Sequence, residues 1–146
     1  MSEVEKFLTA REEEEIVKAI QEAERNTSGE IRVHIERTSG NSEPYQRAIA
    51  VFHELGMDRT ELANGVIVYI AVEDRTFAIY GGKGINDVVP DDFWNSTKEV
   101  MASRFKDGHY KQGLVEGILK AGNQLKQHFP WQEDDINELP DEISKG

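Results

Sequence analysis

The stretch NGVIVYIAVEDRTFAIYGGKGINDVVPDDF, from Asn64 to Phe93, sets the tightest limits on what this chain can fold into. Gly65 to Val72 is a near-continuous apolar run rich in β-branched residues, too short for a core helix and suited to a strand buried on both faces. Glu73, Asp74 and Arg75 form a polar turn, and Thr76 to Tyr80 returns as a second strand carrying Phe77, Ile79 and Tyr80. A bend with Gly81, Gly82 and Gly84 follows, then three aspartates in six positions, Asp87, Asp91 and Asp92. Pro90 and Asp91 have the chemistry of a helix start, because proline suits the first turn and an aspartate there accepts from free N–H groups.

The flanking segments read as helices and one more strand. Thr9 with Glu12 fits a capping box, and Ile16, Val17, Ile20 and Ala23 repeat at helical spacing to about Arg25. Glu12 to Glu15 lie near the positive end of that helix and read as a solvated face. After Thr27-Ser28-Gly29, the segment EIRVHIER (Glu30 to Arg37) alternates, with Ile31, Val33 and Ile35 on one face and Arg32, His34 and Glu36 on the other. This predicts a strand with one protected face, near a sheet edge. Ser42 and Pro44 open a helix with Ala48, Val51, Phe52 and Leu55 as its buried stripe, stopped at Gly56. Phe93 to Phe105 and Tyr110 to Leu125 give two further amphipathic helices, the last ended by Pro130. Gly113 and Gly117 lie one turn apart on it; since each costs roughly 1 kcal/mol against alanine, close backbone packing is the expected compensation.

The order helix, strand, helix, strand, strand, helix, helix makes the first two strands parallel through a right-handed crossover and the third antiparallel. That is an α/β/α sandwich, three layers around a small mixed sheet, Rossmann-like in outline. One domain covers residues 1–130, and residues 131–146 form an acidic tail. The tail holds six acids and one lysine; Trp131, Ile136, Leu139 and Ile143 are its only means of docking, and it is otherwise expected to be disordered.

Charge and composition exclude several functions. At 146 residues with a net charge of −11, the chain can bury a real core but lacks the clustered lysine and arginine that nucleic-acid binding needs. Divalent cations, basic partners or simple solubility are favoured instead. The absence of cysteine removes disulfides, thiolate zinc sites and a cysteine nucleophile. No apolar run approaches the ~20 residues of a membrane span, and the acidic N-terminus lacks a signal-peptide layout, so a cytoplasmic location is expected. Gly82-Lys83-Gly84 matches neither a P-loop nor a dinucleotide fingerprint, and no serine sits in a nucleophile elbow.

Topology sorts the polar loops into two ends. Thr38–Glu43, Glu73–Arg75 and Lys106–Tyr110 share one end, and 57–64 and 81–92 share the other. At the second, Asp87, Asp91 and Asp92, with Asp58 or Glu61 in reach, are the denser acid cluster. Converging carboxylates without cysteine point to Ca2+ or Mg2+; the competing reading has Asp91 and Asp92 as helix caps and Asp87 in water. At the first end, Glu73, Asp74, Arg75, Asp107, His109 and Tyr110 gather. An acid beside an arginine suits an anion or metal site, although a polar hairpin turn has the same composition.

The ordered set Asn64-Gly65-Val66, Asp74-Arg75, Gly82, Gly84, Pro90-Asp91, then Phe105, Gly108, Tyr110 and Gly113 resembles the TPM domain family, over about Gly29 to Leu125. The resemblance implies an α/β/α sandwich, with some members acting as acid phosphatases of the thylakoid lumen and others binding divalent metals. Two departures stand out. Glu73-Asp74-Arg75 replaces Asp-Asp-Arg and keeps the charge, whereas Gly108-His109-Tyr110 replaces Gly-Asp-Tyr and loses an acid. The expected function is a stand-alone, divalent-cation-binding TPM domain, with Ca2+ or Mg2+ ordering loops through Asp87, Asp91, Asp92 and Asp58 in a regulatory or interaction role. One alternative is a metal-dependent phosphomonoesterase using Asp74, Arg75, Asp107 and His109; another is a protein-interaction module using the acidic tail.

Overall fold

The structure is a computed structural model in which residues 7–60, 63–131 and 141–146 are described. In chain order the elements are α1 (Ala10–Glu24), β1 (Glu30–Glu36), α2 (Pro44–Glu54), β2 (Gly65–Ala71), β3 (Thr76–Gly81), the single turn α3 (Lys83–Asn86), α4 (Asn95–Lys106), α5 (Tyr110–Leu125) and β4 (Ser144–Lys145). The capping box that opens α1 is made in full. Thr9 Oγ1 accepts from the Glu12 N–H and Glu12 Oε1 from the Thr9 N–H, each at 3.0 Å, so two donors that lack an intrahelical partner are satisfied reciprocally. Gly56, at φ +71°, ends α2 with a left-handed residue that costs glycine nothing.

The sheet order is β3-β2-β1-β4. β1 and β2 are parallel from Glu30↔Gly65 to Glu36↔Ala71, and β3 runs antiparallel to β2 from Thr76↔Ala71 to Gly81↔Val66. β2 is buried along its whole length, as its unbroken apolar run requires. Its alternate residues feed two cores: Val66, Val68 and Ile70 face the layer of α1, α4 and α5, while Ile67, Tyr69 and Ala71 face α2. The three-layer α/β/α sandwich follows from that alternation. No helix among the described residues is long and apolar enough to cross a membrane.

Three expectations change in the structure. β1 is protected on both faces, with His34 5% and Glu36 6% exposed, because Arg47 reaching from α2, Tyr69 of β2 and residues 144–146 cover the face that its alternation assigns to water. α4 begins at Asn95, and residues 91–94 form a turn. Trp94 precedes the helix without a side-chain cap, so neither Asp91 nor Asp92 caps it. Within the tail, residues 141–146 add β4 to the outer side of β1, with His34↔Ser144 and Ile35↔Lys145 in parallel register, while Ile136 and Leu139 lie outside the described residues. Ile143 packs on the core.

The helical glycines are contact points. A Cβ on Gly113 would lie 2.6 Å from the Phe105 ring, and one on Gly117 2.5 Å from Met101 Cγ, so α4 and α5 approach closely along this stripe. Gly122 meets α1 instead, where a Cβ would stand 2.7 Å from Ala23 Cβ and 3.1 Å from its Cα. Ala23 has no flexible end to move aside. Gly122→Ala is therefore expected to destabilise the domain by about 2 kcal/mol in urea unfolding, since overpacking outweighs the helix propensity gained. An unchanged or higher urea midpoint would refute the close packing.

Candidate functional site

The carboxyl ends of the parallel strands β1 and β2 point to the same end of the sheet, the position where open α/β sheets bind ligands. Three loops meet there. The β2–β3 turn carries Glu73, Asp74 and Arg75, and Arg75 sits at φ +55°, a left-handed conformation uncommon for a side-chain-bearing residue. The β1–α2 loop is tied to this turn by Asp74, whose carboxylate accepts from Thr38 Oγ1 at 2.8 and 3.0 Å, the Ser39 N–H at 2.9 Å and Ser39 Oγ at 3.3 Å. The Ser39 backbone N–H, then the Thr38 hydroxyl, hold the Asp74 carboxyl below the usual aspartate range, so it is a fixed negative charge. Arg37 pairs with Glu73 at 2.7 Å alongside.

The third loop links α4 to α5. Gly108, at φ +81°, lets the chain reverse there, and the Asp107 and His109 N–H groups both bond to the Arg104 carbonyl, at 3.2 and 3.0 Å. Between this reversal and the hairpin lies a cavity of about 460 Å³. Phe7, Ile70, Phe77, Ala102 and Phe105 form its apolar part, and Arg75, Thr76, Lys106 and Tyr110 its polar part. Phe105 stands edge-on to Phe77, with ring centroids 5.1 Å apart. The ionisable lining groups are thus two cations and a phenol. Arg37, Arg47 and Arg104 each bond a glutamate, whereas Arg75 and Lys106 form no ion pair with a described residue. Two cations with no ion-pair partner among the described residues share one cavity in a chain of net charge −11.

The four residues of the phosphatase alternative divide around this cavity. Arg75 lines it; Asp74 is one residue away in the turn, its carboxylate bound to the β1–α2 loop; Asp107 and His109 are exposed on the α4–α5 reversal and do not line it. The four aspartates expected to hold a cation are spread over the opposite end. Asp87 pairs with Lys83 at 2.8 Å and Asp58 lies 3.5 Å from His53 Nδ1. Asp91 lines a cavity beside Tyr45 and Lys98, and Asp92 lines another beside Gln124 and His128. Glu61 lies outside the described residues. No group of three or more histidine, aspartate or glutamate side chains that could hold a metal ion occurs among the described residues.

A second polar cluster went unseen in the sequence. On the α2 side of the sheet, the buried Glu36 carboxylate accepts from Arg47 Nε at 2.8 Å, Arg47 Nη2 at 3.1 Å and the Tyr69 hydroxyl, and lies 3.3 Å from His34 Nε2. Burial pulls the Glu36 carboxyl upward, but the bonds from Arg47, Tyr69 and His34 outweigh it and leave the group below its ordinary range. Burial lowers His34, against the opposing pull of Glu36. The Tyr69 hydroxyl is raised, first by burial and then by its bond to Glu36. The only available signal was the charged half of EIRVHIER, which an exposed strand face would also show.

A family model for the TPM domain matches residues 2–124. The chain belongs to the TPM domain family. It is similar to the BA42 protein of the psychrophilic bacterium Bizionia argentinensis, solved by NMR, with 60% identity, a TM-score of 0.92 and all of each chain covered. At 21% identity and a TM-score of 0.69, the N-terminal domain of a Porphyromonas gingivalis protein shares the fold over 84% of this chain and 79% of its own. The N-terminal domain of a Corynebacterium glutamicum protein does so at 12% identity and a TM-score of 0.64, over 95% and 80%. No curated protein matches the chain.

Proposed function

We propose that this TPM domain binds a phosphate-bearing ligand in the cavity at the hairpin end, together with a divalent cation, Ca2+ or Mg2+, rather than hydrolysing it. The observation that carries this reading is the pair of cations Arg75 and Lys106, without an ion-pair partner among the described residues, in one cavity with Phe77 and Phe105. Arginine offers a planar fork to phosphate oxygens and lysine a point charge, while the aromatic floor suits the organic part of an ester. Asp74, one residue outside the lining with its carboxylate on Thr38 and Ser39, would reach such a cation through a retained water. It is already ionised, and Mg2+ is commonly held by one or two carboxylates plus phosphate oxygens instead of an all-protein cage. Such a cation neutralises phosphate charge when bound. Binding is favoured over hydrolysis because the acid and histidine that would move a proton, Asp107 and His109, lie outside the cavity lining.

The test is an NMR titration of the metal-stripped protein with Mg2+, Ca2+ and phenyl phosphate, beside Arg75→Ala, Lys106→Ala, Asp74→Ala and Asp87→Ala. Removing either cation is expected to weaken phenyl phosphate about tenfold, the loss of one charge-assisted bond of about 1.4 kcal/mol. Asp74→Ala should abolish the gain that metal gives to ligand affinity, and Asp87→Ala should leave it intact. Unchanged affinity in the Arg75 and Lys106 variants would refute the site. Metal shifts confined to 57–64 and 81–92, lost in Asp87→Ala, would move the cation to Asp87, Asp91, Asp92 and Asp58.

A further inference from the structure

β1 would be an edge strand with free N–H and C=O groups were it not covered by residues 141–146, and this cover is made residue by residue. The Gly146 N–H bonds the Ile35 carbonyl at 2.9 Å. Ser144 Oγ lies 2.9 Å from His34 Nδ1, Lys145 Nζ 2.6 Å from Glu13 Oε1, and Ile143 packs on the core. Asp141 shares a hydrogen bond between carboxyl groups with Glu24, which also accepts the Ile31 N–H at 3.1 Å. Position 146 is selective as well, since a Cβ there would stand 2.9 Å from His34 Nε2 and 3.0 Å from Glu36 Oε1. Those two atoms cannot yield freely, because Arg47, Tyr69 and Ser144 hold both side chains.

Main-chain pairing along a sheet edge, with side-chain subsites at alternate positions, is how strand-adding proteins recognise a peptide. We propose that the outer edge of β1 is a strand-recognition site reading acid, apolar, hydroxyl, basic and glycine at positions 141, 143, 144, 145 and 146, and that it also accepts this segment from a second copy of the chain. Only two residue pairs form the ladder, so the side-chain subsites carry the selectivity of docking. Every recognising group on the edge, namely Glu13, Glu24, His34 and Glu36, is present on both copies. Ten peptide steps join Trp131 to Asp141 and set an upper limit of about 35 Å on the reach of the segment.

The full-length chain carrying Ile143→Asp and Gly146→Val tests the site. In the 15N-labelled variant the segment is expected to leave β1, seen as fast exchange of the Val33 and Ile35 amides, which face the vacated edge. Unlabelled peptide of residues 141–146 at millimolar concentration should then restore the wild-type shifts of Ile31 to Ile35, while a scrambled peptide should not. For the second copy, wild-type chains, half of them 13C-labelled, are unfolded and refolded together at millimolar concentration. Intermolecular NOEs between Ser144 of one copy and His34 of the other are expected. A segment that stays docked in the variant, equal binding of the scrambled peptide, or no intermolecular NOE would each overturn the proposal.

Discussion

Replacing Glu36 by alanine is expected to destabilise the domain by about 3 kcal/mol, the cost of stripping one partner from a buried, hydrogen-bonded charge pair. Glu36 is 6% exposed, and its two oxygens serve Arg47, Tyr69 and His34 together. Its removal leaves a guanidinium whose side chain is 29% exposed and a fully buried phenol with no acceptor. The pair itself need not be a large net gain, because desolvation offsets its attraction; the loss arises from the partners left behind. Tyr69→Phe removes one donor and one hydroxyl together, so it should cost only about 1 kcal/mol. Urea unfolding at neutral pH measures both, and a Glu36→Ala loss below that of Tyr69→Phe would show that Glu54, which already pairs with Arg47 at 3.2 Å, and water satisfy the guanidinium without Glu36.

Glu24→Gln is expected to stabilise the protein above neutral pH, in contrast to the usual outcome of mutating a hydrogen-bonded carboxylate. Burial, then the bond to Asp141, pushes the Glu24 carboxyl up to about 9 from an ordinary value of 4.5. Below pH 4.5 both folded and unfolded chains hold this proton, and the contribution of Glu24 is fully present. Between 4.5 and about 9 the folded protein keeps the proton while the unfolded chain releases it, so stability declines as pH rises through that window. The charged groups acting on Glu24, Asp141 and Glu30, are both acids and press the same way. A glutamine keeps an acceptor for the Ile31 N–H and a donor toward Asp141, with no proton to lose. A gain of about 2 kcal/mol at pH 8 is expected, less than the full linkage because water and movement of residues 141–146 relieve part of the burial. Unfolding free energies measured from pH 5 to 9 should fall for the wild type and stay nearly flat for Glu24→Gln. Parallel profiles would dismiss the shared proton.

The two variants probe opposite sides of β1, and both effects come from carboxyl groups inside the protein. Among the described residues most acids lie in solvent, as at Glu14 or Asp92, and residue type alone does not separate them from the buried ones. Composition records how many carboxylates there are; burial decides which of them matter.

The secondary structure was legible where local forces set it. Thr9 and Glu12 cap α1 because the two side chains and the free N–H groups lie within one turn. The unbroken apolar run of β2 had to be covered on both faces, so a parallel neighbour and helix layers followed from it. The crossover rule then sent Asp74, Arg75 and the 106–110 reversal to one end of the sheet, where a cavity lies between them. What residue order could not show is set by contacts between distant segments. Lys106 became a cavity residue only when α4 packed beside α5, and Asp74 met Thr38 and Ser39 across 35 and 36 positions of chain. His34 and Glu36 read as a wet strand face until Arg47 and Tyr69 reached Glu36 and Ser144 closed the edge. Residue order alone was enough for the α1 cap, the helix and strand periodicities and the pairing of β1, β2 and β3, because short-range patterns and the crossover rule set them. Tertiary packing alone decided which charges were neutralised, which were buried and which were left facing a cavity, because electrostatic environment depends on distance in space.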